Sequence, residues 1–134
     1  MEESSIKGNS TELSSMAYLQ KLGGSISIPF GNLRYDFILD YHNVLYKVQV
    51  KSCKYLEHTD AIYMYLTSGN SKRVKKYGDH EVDFFCTFYD NQCYLIPKKN
   101  LNTKAFTLRL SEPKNKQEKG VHLAKDYLAE NILG

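Results

Sequence analysis

RYDFILDYHNVLYKVQVK (residues 34–51) reads as a β-hairpin. Two runs rich in apolar residues flank His42-Asn43, a pair suited to a two-residue turn. Closing the turn there sets the register. Tyr41 faces Val44, Leu39 faces Tyr46, Phe37 faces Val48, and Asp36 faces Gln49. Directly opposed residues share a face, with Cβ atoms ~4.5–5.5 Å apart. Lys51 joins that face because side chains repeat every two residues. The register therefore gathers a carboxylate, an amide and an ammonium at the open end of the hairpin. A slip of one residue would scatter them.

That grouping has chemical content. The Asp36 carboxylate can hold a hard divalent cation, and the Gln49 amide oxygen or the Val50 carbonyl can complete its shell. Such an ion lowers the pKa of a bound water, and the Lys51 ammonium can orient that water or stabilise developing phosphate charge. These are the requirements for hydrolysing a phosphodiester. The same polarity also decorates the solvent face of an ordinary hairpin, so residue types alone leave both readings open.

The remaining sequence narrows the class. A chain of 134 residues predicts one domain, residues 1–134, and a core burying roughly 68–70% of the unfolded surface. Cys53, Cys86 and Cys93 form neither an even set nor a CxxC pair, which predicts reduced thiols in an intracellular, cytoplasmic protein. His42, His58, His80 and His122 lack zinc-ligand spacing. MEESSIKGNSTE has no apolar signal core, and no run reaches membrane-spanning length, so no membrane partner is expected. GxSxG, HExxH and P-loop patterns are all absent. The net charge of +3 conceals a basic middle third, with Lys72, Arg73, Lys75 and Lys76, then Lys98 and Lys99, then Lys114, Lys116 and Lys119. A surface facing phosphates has that distribution, as does a solvated loop edge.

Around the hairpin, NSTELSSMAYLQKLGG predicts a helix. Asn9 and Glu12 have capping-box spacing, Gly23-Gly24 supplies the stop, and Leu13, Met16, Ala17 and Leu19 form the apolar stripe. SISIPF, AIYMYLT and FTLRL predict further strands, and VDFFCTFY-DNQ-CYLIP predicts a second hairpin. SGNSKRVKKYGDH predicts a basic loop, and VHLAKDYLAENIL predicts a closing helix.

Asp36 together with Gln49-Val50-Lys51 resembles the PD-(D/E)XK nuclease motif. The ordered strings KGN…E, SIPFG, RYDFILD, LYKVQVK, EVDFF, YLIP and LRLSEPKNKQ are similar to a small endonuclease family of that superfamily, from about Lys7 to Leu128. Group I intron homing endonucleases stand near this family, and archaeal Holliday-junction resolvases share its core. The resemblance implies an α/β, restriction-endonuclease-like fold, a mixed central β-sheet flanked by helices. It implies a Mg²⁺-dependent DNA endonuclease, with Mn²⁺ as a substitute, of the homing type that makes sequence-specific double-strand breaks. The alternatives are a structure-selective nuclease of the junction-resolvase kind and a DNA-binding protein with a degenerate site. Asp36 matches the motif aspartate and Lys51 the motif lysine. Gln49 stands at the second acidic position, and Tyr35 at the motif proline. Glu12 matches a helical glutamate that contributes to the metal site, although a capping box also puts a glutamate there. The implied metal set is Asp36, Val50, Glu12 and Gln49.

The expected partner is double-stranded DNA. Lys72, Arg73, Lys75, Lys76 and Tyr77 on the basic loop, with Asn32 and Arg34 just ahead of Asp36, are the expected contacts. Tyr77 would stack on the DNA or anchor the loop, and Arg34 would contact DNA or form a surface ion pair. One active site cuts one strand, so a double-strand break predicts a homo-oligomer, dimer or tetramer.

Overall fold

The computed structural model describes residues 3–69, 73–113 and 120–134. Helix α1 (Glu3–Lys21) leads through Gly23-Gly24 into strand β1 (Ser25–Ser27). The turn is tight: a Cβ on Gly24 would stand 2.5 Å from Leu39 Cδ1 and 3.1 Å from the Leu19 carbonyl oxygen. The predicted hairpin follows as β2 (Phe37–Tyr41) and β3 (Val44–Val50). Its pairing, from Tyr41↔Val44 to Phe37↔Val48, is the one read from the sequence. His42 and Asn43 both adopt positive φ, 49° and 67°, as a type I′ turn requires.

Strands β8 (Phe84–Tyr89) and β9 (Gln92–Pro97) complete a five-stranded sheet in the order β1-β2-β3-β8-β9. All pairs are antiparallel except β3 with β8, which run parallel with Gln49 beside Phe85 and Val50 beside Cys86. A mixed sheet results. On one face α1 and the short α2 (Ala129–Leu133) cover Leu19, Phe37, Leu39, Val48, Cys86 and Leu95. On the other face lies a second sheet, β10-β5-β4, built from β4 (Lys54–Leu56), β5 (Ala61–Tyr65) and β10 (Ala105–Arg109). Ile62, Met64 and Leu108 from that sheet pack on Phe85 and Ile96. Because both faces are covered, residues 84–87 of β8 are buried without alternation. The small hairpin β6 (Thr67–Ser68) and β7 (Lys75–Lys76) carries the basic segment.

Three local expectations are corrected. First, the helix starts at Glu3, so Asn9 lies inside it and caps nothing. Thr11 and Ser15 instead turn their hydroxyls back onto the carbonyls four residues earlier, and Lys7 Nζ donates to the Cys53 carbonyl at 2.9 Å. Local capping signals are a weak prior beside such tertiary anchoring. Second, the buried stripe of α1 runs through Ser15, Met16 and Leu19 and continues at Leu22 just past the helix, while Leu13 and Ala17 face solvent. Third, the closing helix is broken into a 3-10 helix (Ala124–Tyr127) and α2 at Leu128, whose extended backbone bridges to Tyr94. Among the described residues, no helix is long and apolar enough to cross a membrane.

Candidate active site

The open end of the β2–β3 hairpin is held together by its own backbone. Asp36 N–H donates to the Val48 carbonyl at 2.8 Å, and Val50 N–H donates to Asp36 Oδ2 at 2.7 Å. The second bond locks the carboxylate onto the strand carrying Gln49 and Lys51. The Gln49 side-chain amide makes a long contact, 3.4 Å, with the Val50 carbonyl oxygen. Asp36, Gln49 and Val50 thus converge, all half-buried.

Glu12 arrives from α1, on the same side of the helix as Ser15, Met16 and Leu19. Burial raises its pKa above the ordinary carboxylate value, and the negative charge of Asp36 raises it further. Asp36 is pushed up as well. Burial is the cause, partly offset by the Val50 N–H bond and the Lys51 charge. Two partly buried carboxylates therefore lie close enough for the charge of Asp36 to act on Glu12.

Lys51 is positioned from the other side. Its N–H donates to the Cys86 carbonyl at 2.8 Å, which continues the parallel pairing with β8. Its Nζ donates to the Thr67 carbonyl at 2.9 Å and to the Tyr77 hydroxyl at 3.1 Å, and lies 4.8 Å from the centre of the Tyr77 ring. Tyr77 is buried against Phe85. It anchors the segment; its burial removes it from the surface that stacking on DNA would need.

Arg34 clamps the same ring. Its guanidinium stands 3.9 Å from the Tyr77 centroid and donates to Ser68 Oγ, to the Lys76 carbonyl and to Glu81 Oε2. Sequence reading offered DNA contact or an ion pair for Arg34; the ion pair with Glu81, 3.2 Å, is present. Asn32 is exposed in the preceding loop. Arg73, Lys75 and Lys76 are exposed along the basic hairpin, with Lys76 Nζ donating to the Asn102 carbonyl. Lys72, with Lys114, Lys116 and Lys119, lies outside the described residues. Thr67 and Glu81 were missed by sequence reading, and no local motif marks either one.

The donor set suits a hard cation. Burial makes both carboxylates resist ionisation, the Val50 carbonyl accepts only a long contact from Gln49, and the candidate ligand atoms are all oxygen. Among the described residues there is no cluster of three or more His, Cys, Asp or Glu side chains able to hold a metal. The ion would therefore depend on the Val50 carbonyl and the Gln49 amide as well as the acids.

Residues 2–130 match the sequence profile of the PD-(D/E)XK endonuclease family. The chain belongs to that family. The matched span includes Asp36, Gln49 and Lys51, the residues that resemble the family's motif in the sequence. No curated protein matches it in sequence. Its fold is similar to that of the bacterial homing endonuclease I-Ssp6803I, with a TM-score of 0.71 at 20% identity, over 99% of this chain and 91% of the other. A restriction-endonuclease-like architecture is thereby established for this family member, in agreement with the mixed sheet.

Proposed function

We propose that this PD-(D/E)XK endonuclease forms one domain that hydrolyses the backbone of double-stranded DNA. Mg²⁺ is its resident ion, with Mn²⁺ as a substitute, and the enzyme is of the homing type, making sequence-specific double-strand breaks. Asp36, Glu12, the Val50 carbonyl and Gln49 hold the ion. When bound, the metal supplies Lewis-acid polarisation of the phosphate and acidifies water. The protein's own part is positional. Asp36 is fixed by Val50 N–H, so its free oxygen cannot swing away from the strand end. Two of the three Lys51 N–H groups are taken by Thr67 and Tyr77, which aims the third at a phosphate oxygen or the attacking water. Arg73, Lys75 and Lys76 neutralise backbone phosphates, with Lys72 beside them in the sequence. Arg34 acts mainly by holding the basic hairpin against the site. A dimer or tetramer in the cytoplasm supplies the second cut.

The observation that supports this reading is the Val50–Asp36 hydrogen bond, with Lys51 close enough to lower the Asp36 pKa and Asp36 close enough to raise that of Glu12. Gln49, neutral where an acid is usual, favours one second reading: DNA binding without cleavage. Supercoiled, linear and four-way-junction DNA separate the possibilities. The chelated enzyme should be inactive, and Mg²⁺ or Mn²⁺ should restore cuts at defined duplex sites. Asp36→Ala should abolish them while DNA binding survives, and Gln49→Glu should cut at lower metal concentration. Junction-selective cutting would indicate a resolvase, and binding without cutting under either ion would indicate the degenerate site.

A further inference from the structure

Just ahead of Arg34 the chain exposes an apolar loop that the catalytic chemistry does not use. Phe30 is fully exposed, at 104% of its reference area, and Ile28 and Leu33 beside it are 63% and 51% exposed. Leaving a phenylalanine in water forgoes the stabilisation that its burial would give. Single exposed apolar residues are ordinary, whereas three in one short loop call for a partner. The loop is also stiffened. Pro29 fixes its own φ, and Gly31 turns the tip at φ 99°.

We infer that this loop is a DNA wedge: Phe30, flanked by Ile28 and Leu33, inserts between stacked bases near the phosphate to be cut. The inference rests on the DNA-cleaving function proposed above. Phe30 and Asp36 are six residues apart, a span of at most about 22 Å even when fully extended. Arg34 ties the root of the loop to Ser68 and the Lys76 carbonyl, so the loop springs from the basic hairpin. That charge selects the occupant. A second copy of this chain would bring its own +3 charge and the same basic segment against them, whereas a duplex brings phosphates. Apolar side chains inserted at a base step unstack it and bend the duplex, at a cost that depends on the step. The wedge therefore adds a preference for easily unstacked pyrimidine–purine steps, independent of hydrogen bonds to base edges.

The chain contains no tryptophan, so Phe30→Trp installs a single indole at the tip. The variant is titrated with mixed-sequence duplex DNA in Ca²⁺, with binding followed independently by the anisotropy of a labelled duplex. On saturation the indole emission should fall by more than half and become several-fold less accessible to acrylamide. Leu45→Trp, at the far end of the hairpin, should change little. Phe30→Ala should bind about tenfold more weakly, the scale of one lost stacking contact. Bound DNA with unchanged emission and accessibility overturns the wedge. So does quenching that follows protein concentration without DNA, which would mark a contact between copies. Failure of the wild-type protein itself to bind DNA would overturn the function proposed above, and the wedge with it.

Discussion

The central sheet contains two hairpins that are alike at their turns and unlike at their open ends. Tyr41-His42-Asn43-Val44 and Tyr89-Asp90-Asn91-Gln92 each turn through two residues of positive φ, with nearly equal values. Away from the turn, β8 and β9 bury Phe84, Phe85, Cys86 and Thr87 against Cys93, Tyr94, Leu95 and Ile96. The β2–β3 pair buries Phe37, Leu39 and Val48 but ends in half-buried Asp36, Gln49, Val50 and Lys51. One hairpin is devoted to packing. The other accepts crowded charge where its strands run out, and β8 supports it through the Cys86 carbonyl and the Phe85–Tyr77 contact. Continuous burial and half-buried charge are thus divided between neighbouring hairpins of one sheet.

The sharpest test of that division truncates the packing hairpin. Phe85→Ala should cost about 3–5 kcal/mol, because it empties a fully buried ring site under Tyr77, whereas Leu45→Ala on exposed β3 should stay within about 0.5 kcal/mol. Urea unfolding measures both, and equal costs would erase the distinction. On the other hairpin, Lys51→Ala should lower the cleavage rate about 10²–10³-fold with the far-ultraviolet circular dichroism spectrum retained. A rate within threefold of wild type would remove Lys51 from the chemistry.

A third prediction concerns charge. Asp36 and Glu12 have native pKa values raised above their ordinary 3.8 and 4.5. As pH climbs from those values, the unfolded chain releases its protons first. Stability therefore falls through the window up to the raised native values and does not recover above it. In metal-free buffer at pH 7, Asp36→Asn should raise Tm by a few °C and flatten the stability profile above pH 4. Added Mg²⁺ should then stabilise the wild type and leave the variant unchanged. A lower Tm in the variant would show that the carboxylate is not under strain. The smallest effect should come from the shared feature. Asn43→Gly and Asn91→Gly should each change stability by only a few tenths of a kcal/mol, and by similar amounts, since both relieve the same positive φ.

The two hairpins, the His42-Asn43 turn and the pairing of Phe37 with Val48 were legible because alternation and Asn-containing turns act over a few residues; the second turn is one residue shorter than the DNQ read from the sequence, since Gln92 pairs with Tyr89 in β9. Asp36 and Lys51 were legible for the same reason: a register fixed at His42-Asn43 carries its consequences down both strands. The start of α1 was not. Lys7 reaching the Cys53 carbonyl is a contact across 46 positions, invisible to any local capping signal. Nor was the use of β4, β5 and β10 as a second layer, since a strand's own sequence does not name its partner.

Sequence alone therefore determined the hairpin register, the carboxylate and ammonium near its open end, and the membership in a nuclease family, which the profile match over residues 2–130 carries. Only the tertiary structure decided that Glu12 comes close enough to Asp36 to raise its own pKa and that Tyr77 is buried as a bracket for Lys51 and Arg34. It also decided that Phe30, four residues ahead of Arg34 in the chain, stands clear of the protein. The physical reason is range. Strand pairing across a two-residue turn is fixed by neighbours, whereas electrostatic crowding and burial depend on which distant segments the packed core brings together.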